Sequence, residues 1–442
     1  MKKLVFILMI FSGFVSEAQN KKWTLEECVQ YAIDNNITVK QNELDLDNSE
    51  INKKDAYGNF MPTLNASTSH TWSIGLNQDP ITFSAVTSTT RTLNGGVSAG
   101  FDLYTGLRNL NQLRRSNLEI LASQYQLDDM KDNISLSVAN AFLQILFNKE
   151  QLKVFNDQKD ITQQELEQTE ELVNAGSIPR GDLLEVQANL VSQEQQIVNA
   201  ENAILLSKIS LAQLLTIEDY ENFDIADSDY EVPPSQILIE TPETILAKAK
   251  ETRYDLKIAM NNQEIAEYNL KMARGALQPS LRGSYSFGTN YFYSQLFDTP
   301  EFTDQISDNK SHNFSINLSI PIFNGLAARN NIKRNEISVE RSKFLLEQAT
   351  LDLETNVYQA YNDAKGALKA YEAAQKTSIA REEAFNYSRE RYNVGLLNAF
   401  DFNQSRNRFD AAQSEVVRTK YDYIFKLKVL EFYFGIPIAE IN

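Results

Sequence analysis

Two aspartates stand where one long helical segment turns into the next, and they are the carboxylates best placed to act together. Asp182 comes six residues after Gly176, and Asp401 comes six residues after Gly395. A glycine that ends one helix and an acidic residue that begins the next are typical of helix capping. If several chains place Asp401 around one narrow bore, the carboxylates form an anionic ring that favours cations. Both interpretations stay open, because a cap can also face a lumen.

Other residue types that support catalysis or metal binding are scarce. The two histidines, His70 and His312, lie in strand-like segments without the motifs of zinc or serine hydrolases or of phosphate-binding loops. Positions on the strands or the rim of a barrel explain them better than a metal pair, because no acidic partner stands at ligand spacing. The single cysteine, Cys28, excludes a disulfide framework and is expected to be a buried thiol. We expect no enzyme activity, no cofactor and no metal site.

The elements that position the aspartates occur twice in the chain. Matching residues recur at an offset of 217 or 219: Gly58 with Gly275, Pro62 with Pro279, Gly106 with Gly325, Gly176 with Gly395, and Asp182 with Asp401. An offset that changes by only two residues over this distance indicates one duplicated unit, and the unit is too large for a solenoid repeat.

Each copy has the pattern helix, β-hairpin, long helix, helix. In the first copy, 19–217, we predict helices at 24–57, 106–175 and 182–215 and strands at 63–75 and 95–105. In the second copy, 241–442, we predict helices at 242–274, 325–394 and 401–434 and strands at 280–293 and 312–323. Each long segment lacks proline, so its helix is expected to run about 70 residues, or roughly 105 Å. Apolar steps of four and three predict coiled-coil packing.

The strand segments alternate between apolar and small polar residues. In the last of them, Phe314, Ile316 and Leu318 alternate with Asn313 and Ser315. This pattern fits an outer-membrane barrel, although a soluble antiparallel sheet packed on one side also alternates. Four strands cannot close a barrel, because an open edge leaves backbone groups unsatisfied in lipid. Three chains would supply twelve strands, so we predict a trimer.

The N-terminal residues 1–18 are typical of a secretory signal peptide. Lys2 and Lys3 precede a short apolar run, and small residues around Ala18 fit a cleavage site. No later stretch reaches the about 20 apolar residues of a membrane-spanning helix.

The charge balance is acidic. The chain has 42 basic and 59 acidic residues, a net charge of −17, which argues against nucleic acid and anionic membrane surfaces as partners. The acidic segment 216–240 is expected to be a solvated connector at the equator between the copies, because its carboxylates lack the spacing of a calcium loop.

At the junctions and turns the sequence resembles the TolC-like outer-membrane efflux protein family. The matching segments are Gly58 to Leu64, Gly275 to Leu281, Pro321 to Gly325, and Arg391 to Leu396 with the following Asp401. The resemblance covers Thr24 to Pro437. It implies a mostly α-helical homotrimer that joins a twelve-stranded outer-membrane barrel, in contact with lipid, to a long α-barrel tunnel in the periplasm of a Gram-negative-type envelope. Such a duct receives cargo from an inner-membrane transporter through a periplasmic adaptor, in a tripartite efflux pump or type I secretion system.

The resemblance also implies roles for residues at the periplasmic tip. Asp401 matches a constriction carboxylate, whereas Gln404 stands where a second carboxylate is expected. Tyr392 and Asp182 match the partners of a link that holds the tip closed. The arginine of a neighbouring link is replaced by Leu397.

Two arginines near the turns, Arg180 and Arg391, are our candidates to replace that missing link. The adaptor-docking turns are expected at Gly176 and Ser177 and at Val394, Gly395 and Leu396.

Two other functions compete with the exit duct. A stand-alone porin is disfavoured because most of the chain is predicted to be helical, and a periplasmic coiled-coil protein leaves the four alternating strands unexplained. The sequence does not specify the cargo or the transporter.

Overall fold

The computed structural model describes residues 22–79, 81–226 and 236–438. The predicted signal peptide and residues 227–235 of the acidic connector lie outside these ranges. Within them, the mostly helical fold with four long strands is confirmed. None of the helices in the described ranges combines the length and the hydropathy needed to cross a bilayer.

The elements follow the predicted order in both copies. The first copy comprises β1 (Lys22–Trp23), α1 (Leu25–Asn35), α2 (Ile37–Gly58), β2 (Thr63–Gln78), β3 (Ala85–Tyr104), α3 (Arg108–Asn174), α4 (Arg180–Leu215) and β4 (Asp224–Ile225). The second comprises α5 (Pro242–Thr252), α6 (Tyr254–Gly275), β5 (Ser280–Ser294), α7 (Phe302–Asp308), β6 (Ser311–Ser319), α8 (Ala327–Asn393) and α9 (Ala399–Phe434). The long helices α3 and α8 have 67 residues each, and α4 and α9 have 36 each. The duplication therefore extends to element lengths.

The helices predicted at 24–57 and 242–274 are each broken once, which the sequence did not indicate. The breaks fall at Asn36 and Arg253, where the backbone is extended with ψ 132°. The Asn36 side chain donates to the carbonyl of Leu214 (2.9 Å) and accepts from the amide of Thr38 (2.8 Å). Asn36 thus starts a new helix while bonding to α4, and this tertiary contact explains the break.

Arg253 makes the equivalent break 217 residues later. Its side chain is 5% exposed and donates to Asp129 (3.1 Å) and Asp132 (3.2 Å) on α3. The guanidinium also lies over the ring of Phe432, 4.0 Å from its centroid. Burial is the main cause that raises the pKa of Asp129, to about 6.

The described residues form two compact units, which are considered separately. One contains 22–43, 126–256 and 349–438, and the other contains 44–125 and 257–348. In the first unit, the core centres on Phe142 and Ile145 of α3, packed with Leu211, Leu215 and Ile424. Cys28 is fully buried in this core, as predicted.

The acidic connector is less solvated than predicted in its described part. Strand β4 pairs in parallel with β1, and Phe223 and Ile225 are buried. Asp224 forms salt bridges with Lys149 (2.9 Å) and Lys208 (3.0 Å). These two ammonium groups fix the connector to α3 and α4.

The second unit contains an antiparallel sheet in the order β2-β3-β5-β6. The register aligns apolar residues with apolar residues, and polar residues with polar residues, across all four strands. One row is Leu64, Ala99, Tyr285 and Phe314, and the adjacent row is Asn65, Ser98, Ser286 and Asn313. One face of the sheet is therefore apolar and the other polar, as the alternation predicted.

Some strand ends differ from the predictions. Strand β2 ends at Gln78 and strand β3 begins at Ala85, so the connection of the first hairpin is shorter than the interval between the strands predicted at 63–75 and 95–105. Strand β6 ends at Ser319 rather than at 323, since Pro321 has no N–H with which to continue the ladder. The connection after β5 contains the helix α7, which the sequence analysis did not predict.

The helix–strand junctions follow the glycine and proline pattern. Gly58 and Gly275 end helices, and Pro62 and Pro279 directly precede strands. Gly106 and Gly325 precede the long helices with φ of 66° and 61°. The residues after them, Leu107 and Leu326, also have positive φ (61° and 69°), which is unusual for leucine.

Candidate functional site

The candidate site is formed by two helical hairpins: the first helical hairpin is α3–α4 and the second is α8–α9. Their turns begin at Gly176 and Gly395, which have φ of 71° and 76°. The amide of Leu396 donates to the carbonyl of Arg391 (2.8 Å), and the first turn has the same bond, a Schellman arrangement. A Cβ on either glycine would meet no atom within 4 Å. The backbone conformation alone therefore favours glycine.

The prediction that Asp182 and Asp401 are N-caps is wrong, because each is the third residue of its helix. The cap of α9 is Asn398, whose Oδ1 accepts from the amide of Asp401 (2.9 Å) while its Nδ2 donates to the Asp401 carboxylate (2.8 Å). Helix α4 begins after Pro179, which supplies no side-chain cap. Both carboxylates still lie in a first turn, where the helix dipole stabilises an anion.

Asp401 and Gln404 lie on the exposed face of α9. The opposite face is buried by Phe402, Asn403 and Phe409. The chain's own packing therefore directs Asp401 and Gln404 away from its interior. Asp182 on α4 is half-buried.

An aromatic cluster holds the turn of the second helical hairpin together. The rings of Tyr392 and Phe402 stack with centroids 4.6 Å apart and planes at 10°. Phe385 stacks on Phe402 (5.8 Å) and on Phe409 (5.5 Å), and Leu397 packs against the cluster. Leu397, which the resemblance predicted to replace an arginine, thus contributes apolar contact.

Asp182 influences the Tyr392 phenol in this structure without bonding to it. Burial, then the carboxylates of Asp182 and Glu165, raise the pKa of the Tyr392 phenol. Within the described ranges no hydrogen bond joins Tyr392 to Asp182. The main contact of Tyr392 is its stack on Phe402.

The structure does not bring Arg180 or Arg391 into the link proposed for them. Arg391 donates to the carbonyl of Leu396 in its own turn (3.3 Å) and lies 5.8 Å from the ring of Tyr387. Arg180 is the exposed first residue of α4. Neither side chain joins one helical hairpin to the other.

A buried charge cluster joins the two helical hairpins, and the sequence analysis missed it. This Arg406 cluster consists of Thr162, Glu165, Arg406 and Asp410. The Arg406 side chain is 4% exposed and donates from Nη1 to Glu165 Oε2 (2.5 Å) and from Nη2 to Thr162 Oγ1. Its Nε lies 3.7 Å from Asp410 Oδ2. Burial raises the pKa of both carboxyl groups, that of Asp410 to about 6.

A sequence signal for the Arg406 cluster was available. Phe402, Arg406 and Phe409 follow steps of four and three, so they share one face of α9. An arginine between two aromatic residues on a buried stripe indicates a buried ion pair, because an unpaired charge there is costly.

A small cavity lies beside the Arg406 cluster. Its volume is about 30 Å³, and its lining includes Glu165, Thr169, Arg389, Tyr392 and Asn403. Glu165 Oε1 and Asn403 Oδ1 are buried and accept no hydrogen bond from protein atoms. The contact between the hairpins therefore contains two buried acceptors that donors of the protein do not reach.

The two exposed turns differ in chemistry. Val394 and Leu396 flank Gly395 and are 69% and 68% exposed. Their counterparts beside Gly176 are the small residues Ala175 and Ser177, which are also exposed. Of the residues that flank the two turn glycines, only those of the second turn are large, apolar and exposed.

The histidines do not meet in the described sheet. His312 Nδ1 lies 3.0 Å from the Tyr285 hydroxyl, and the ring of His70 contacts that of Trp72 with centroids 3.8 Å apart and planes tilted at 35°. In the part of the chain that the structure describes, no group of three or more His, Cys, Asp or Glu side chains is arranged to hold a metal ion.

A sheet with one apolar face and two helices of 67 residues are features of the class of outer-membrane channel-tunnels. The chain belongs to the outer membrane efflux protein family, whose model matches residues 28–216 and 245–435. It is accordingly an outer-membrane protein.

Individual relatives agree with this family. The chain is 25% identical to outer membrane protein TolC of Vibrio cholerae, in a match that covers 67% of this chain and 66% of that relative, just under two thirds of its length. It is 25% identical to the pyoverdine export outer membrane protein OpmQ of Pseudomonas putida, covering 75% of this chain and 68% of the relative. The crystal structure of the Campylobacter jejuni CmeC outer membrane channel shares the fold, with a TM-score of 0.81 at 16% identity over 96% of this chain and 87% of that one.

Proposed function

We propose that three copies of this protein form the exit duct of a tripartite efflux pump or type I secretion system. Cargo would pass from an inner-membrane transporter and its periplasmic adaptor through the duct and out of the cell. The main support for this proposal is the sheet of the second unit, because it has one apolar face and two open edges.

The apolar face is suited to lipid. Leu64 and Ile74 on β2 are 73% and 77% exposed, and Phe314 and Ile316 on β6 are 78% and 73% exposed. Large apolar side chains rarely form such a continuous exposed surface in water. A bilayer would cover this face, while the opposite rows of Asn and Ser line a wet bore.

The edges of the sheet require further strands. β2 and β6 are the outer strands of the order β2-β3-β5-β6, and every neighbouring pair is antiparallel. β2 and β6 therefore run in opposite directions, so β6 of one copy can pair with β2 of the next in the same antiparallel pattern. Three copies would close a ring of twelve strands and leave no edge in the bilayer.

The helices of the first unit also present surfaces for neighbouring copies. Leu184, Val191, Val198 and Leu205 recur every seven residues on α4 and are between 47% and 64% exposed. A seven-residue apolar repeat is typical of a coiled-coil seam. A second copy of this chain is a suitable partner for this stripe.

The duct would be passive. The family is one of outer-membrane channels, and the energy for transport would come from the inner-membrane transporter. Asp401 and Gln404, on the exposed face of α9, would surround the narrow periplasmic end of the bore, where a ring of Asp401 carboxylates would attract cations.

The mass of the purified complex in detergent, corrected for bound detergent, tests the assembly first. We expect three chains, and we expect the trimer to form discrete ion channels in planar bilayers. A monomer across several mild detergents, without channels, would contradict the proposed function.

Adaptor docking is tested separately at the exposed turns. A photocrosslinker placed at Asn393, beside Val394 and Leu396, should capture the periplasmic adaptor in cells, because that turn presents large apolar side chains. Val394→Ser with Leu396→Ser should reduce the crosslinked yield. Thr377→Ala, at an exposed position of α8 sixteen residues before Asn393, is the control and should leave the yield unchanged. Equal yields from all variants would remove the second turn from the docking surface.

A further inference from the structure

The apolar face of the sheet contains one arginine. The strands β2, β3, β5 and β6, as the structure describes them, have two arginines, Arg91 and Arg282, one carboxylate, Asp102, and no lysine. Arg282 and Asp102 are opposite each other on the polar face, with Arg282 Nε 3.8 Å from Asp102 Oδ1. Arg91 is an even number of residues from Ala99 of the apolar row, and no bulge lies between them. Its side chain is therefore on the apolar face.

Arg91 lies in one row with two aromatic residues. The register places Trp72 of β2 on one side of it and Tyr293 of β5 on the other. The guanidinium lies over the Tyr293 ring, 5.3 Å from its centroid, which is a cation–π contact. Arg91 is exposed, and no carboxylate of the described residues pairs with it. Since a cation–π contact does not use up the N–H donors of the guanidinium, they stay available to an anion.

This row lies towards the hairpin connections of the strands. Trp72 is eight residues beyond Leu64 on β2, which is about 26 Å along a strand, or about 20 Å across the bilayer at the usual tilt of barrel strands. The apolar band of such barrels is about 25 Å tall. Beyond the row, Ile74 lies opposite Thr89, so apolar and polar side chains are mixed there. The row is therefore close to one boundary of the hydrocarbon region.

The boundary in question is the outer one. The opposite ends of the four strands join helices, and in the proposed duct those helices belong to the periplasmic tunnel. The hairpin connections then face the outside of the cell. Trp72 and Tyr293 are residue types that are enriched at membrane interfaces, and the long Arg91 side chain can extend to the level of the lipid headgroups.

An arginine in this place calls for an anionic neighbour. A charge that faces lipid is unfavourable near the centre of the bilayer, and the cost becomes small at the interface, where the charge can also find a counterion. The acidic balance of the whole chain does not oppose an anion here, because Asp102 is on the polar face and pairs with Arg282. Beyond about 8 Å, exposed charges are largely screened at physiological salt.

We propose that Arg91, Trp72 and Tyr293 bind the phosphate group of a glycolipid in the outer leaflet of the outer membrane. The guanidinium donates to phosphate oxygens, whose geometry its planar set of donors matches. The two rings pack against the sugar and the first methylene groups of the acyl chains. A lipid is the source of the phosphate because this face of the sheet is the one that lipid covers. The inference rests on the proposed function, and a trimer would have three such sites.

Native mass spectrometry of the full-length trimer tests the proposal. The probes titrated into the detergent are lipid A with its phosphates and the same lipid with its phosphates removed. We expect one phosphorylated lipid to bind per chain, with an apparent Kd several-fold lower than that of the dephosphorylated lipid. Arg91→Gln should weaken binding of the phosphorylated lipid about tenfold, because it removes a charge-assisted hydrogen bond, and should not change binding of the dephosphorylated lipid. Arg91→Lys keeps the charge without the planar donors and should be intermediate.

Arg282→Gln is the matched control, because it removes the arginine of the opposite face. Its affinity for the phosphorylated lipid should equal that of the wild type. Excess inorganic phosphate at constant ionic strength should not displace the lipid, and displacement would overturn the assignment to a lipid. Equal affinity of the wild type and Arg91→Gln for the phosphorylated lipid would overturn the proposal. If Arg91→Gln does not assemble, wild-type affinity in Arg91→Lys overturns it instead.

The same spectra separate this inference from the proposed function, because they also give the mass of the complex. A wild-type monomer contradicts the proposed function. A wild-type trimer that binds both lipids equally well contradicts only the phosphate site.

Discussion

Gly106 and Gly275 lie backbone to backbone in the unit that contains the sheet. A Cβ built on either residue would come closer than 3.0 Å to the carbonyl oxygen of the other, a distance that real Cβ atoms essentially never show. Beside this contact, the Tyr104 hydroxyl donates to Gln278 Oε1. Gly106 precedes the long helix of the first copy, and Gly275 ends a helix of the second. The two copies of the duplicated unit therefore meet through residues that must lack a side chain.

The first prediction concerns Gly275→Ala. The added methyl group would collide with backbone at Gly106, which cannot move aside as a flexible side chain could. We expect a loss of about 1–3 kcal/mol, the cost typical of overpacking. The thermal dissociation temperature of the trimer in detergent measures it.

Gly58→Ala is the matched control for Gly275→Ala. Gly58 ends α2 in the equivalent position of the first copy, but a Cβ there would meet nothing within 4 Å. We expect a dissociation temperature close to that of the wild type. Equal losses for the two variants would mean that the close contact is not what requires glycine at position 275.

The second prediction compares two phenylalanines in the first turn of α9. Phe402 is 4% exposed inside the aromatic cluster, whereas Phe400 is 75% exposed. Phe402→Ala should destabilise the second helical hairpin by about 3–5 kcal/mol, since it leaves a cavity between Tyr392 and Phe385. Phe400→Ala should change its stability by less than about 0.5 kcal/mol. The rate of limited proteolysis near Leu397 reports the stability of the second helical hairpin in both variants. Faster cleavage of the Phe400→Ala variant than of the Phe402→Ala variant would contradict the prediction.

The sheet and the helix lengths were predictable because each depends on a local period. Alternation in β6 placed Phe314, Ile316 and Leu318 on one face, and the register confirms it. The helix break at Asn36 was not predictable, because it depends on a hydrogen bond to Leu214, which is 178 residues away in sequence. No glycine or proline marks the break.

The site was predictable only in part. The turn glycines follow from a local rule for helix ends, but the cap at Asn398 was misassigned by three residues to Asp401, since both side chains can cap a helix. The partners of Arg406 lie on α3, more than 200 residues earlier, so sequence spacing cannot identify them. That Leu397 packs against the aromatic cluster depends on tertiary contacts that its position in the sequence does not specify.

The third prediction concerns ion selectivity at the narrow end of the proposed duct. Asp401→Asn should reduce the preference for potassium over chloride, because three carboxylates of a ring would become neutral. Arg408 is exposed on the same face of α9 seven residues later, or about 10 Å along the helix. Arg408→Gln should therefore shift selectivity in the opposite direction, towards potassium. The reversal potential under a potassium chloride gradient measures both.

Glu26→Gln is the control for these charge changes. Glu26 is an exposed carboxylate in the first turn of α1, and its loss should leave the reversal potential unchanged. If Asp401→Asn leaves it unchanged as well, Asp401 does not line the narrow end. If Asp401→Asn changes the reversal potential and Arg408→Gln does not, Asp401 rather than Arg408 sets the selectivity.

The fourth prediction is that mild acid strengthens the contact between α3 and α9. Burial raises the pKa of Asp410 from 3.8 to about 6 and also raises that of Glu165. Between pH 3.8 and about 6 the folded contact binds more protons at Asp410 than the unfolded chain does, so the stability of the contact falls as the pH rises. Hydrogen exchange of residues 160–170, corrected for the intrinsic rate, should show protection that declines from pH 4.5 to pH 7.

Asp410→Asn isolates the group responsible for this pH dependence. The amide keeps the shape of the carboxyl group but cannot ionise, so protection of residues 160–170 should vary less with pH and should exceed the wild-type value at pH 7. Asp224 and Glu415 have lowered pKa values and contribute stability that is lost only in stronger acid, outside this range. If protection of residues 160–170 in the wild type increases from pH 4.5 to pH 7, the pH dependence is opposite to the prediction and Asp410 is not its cause.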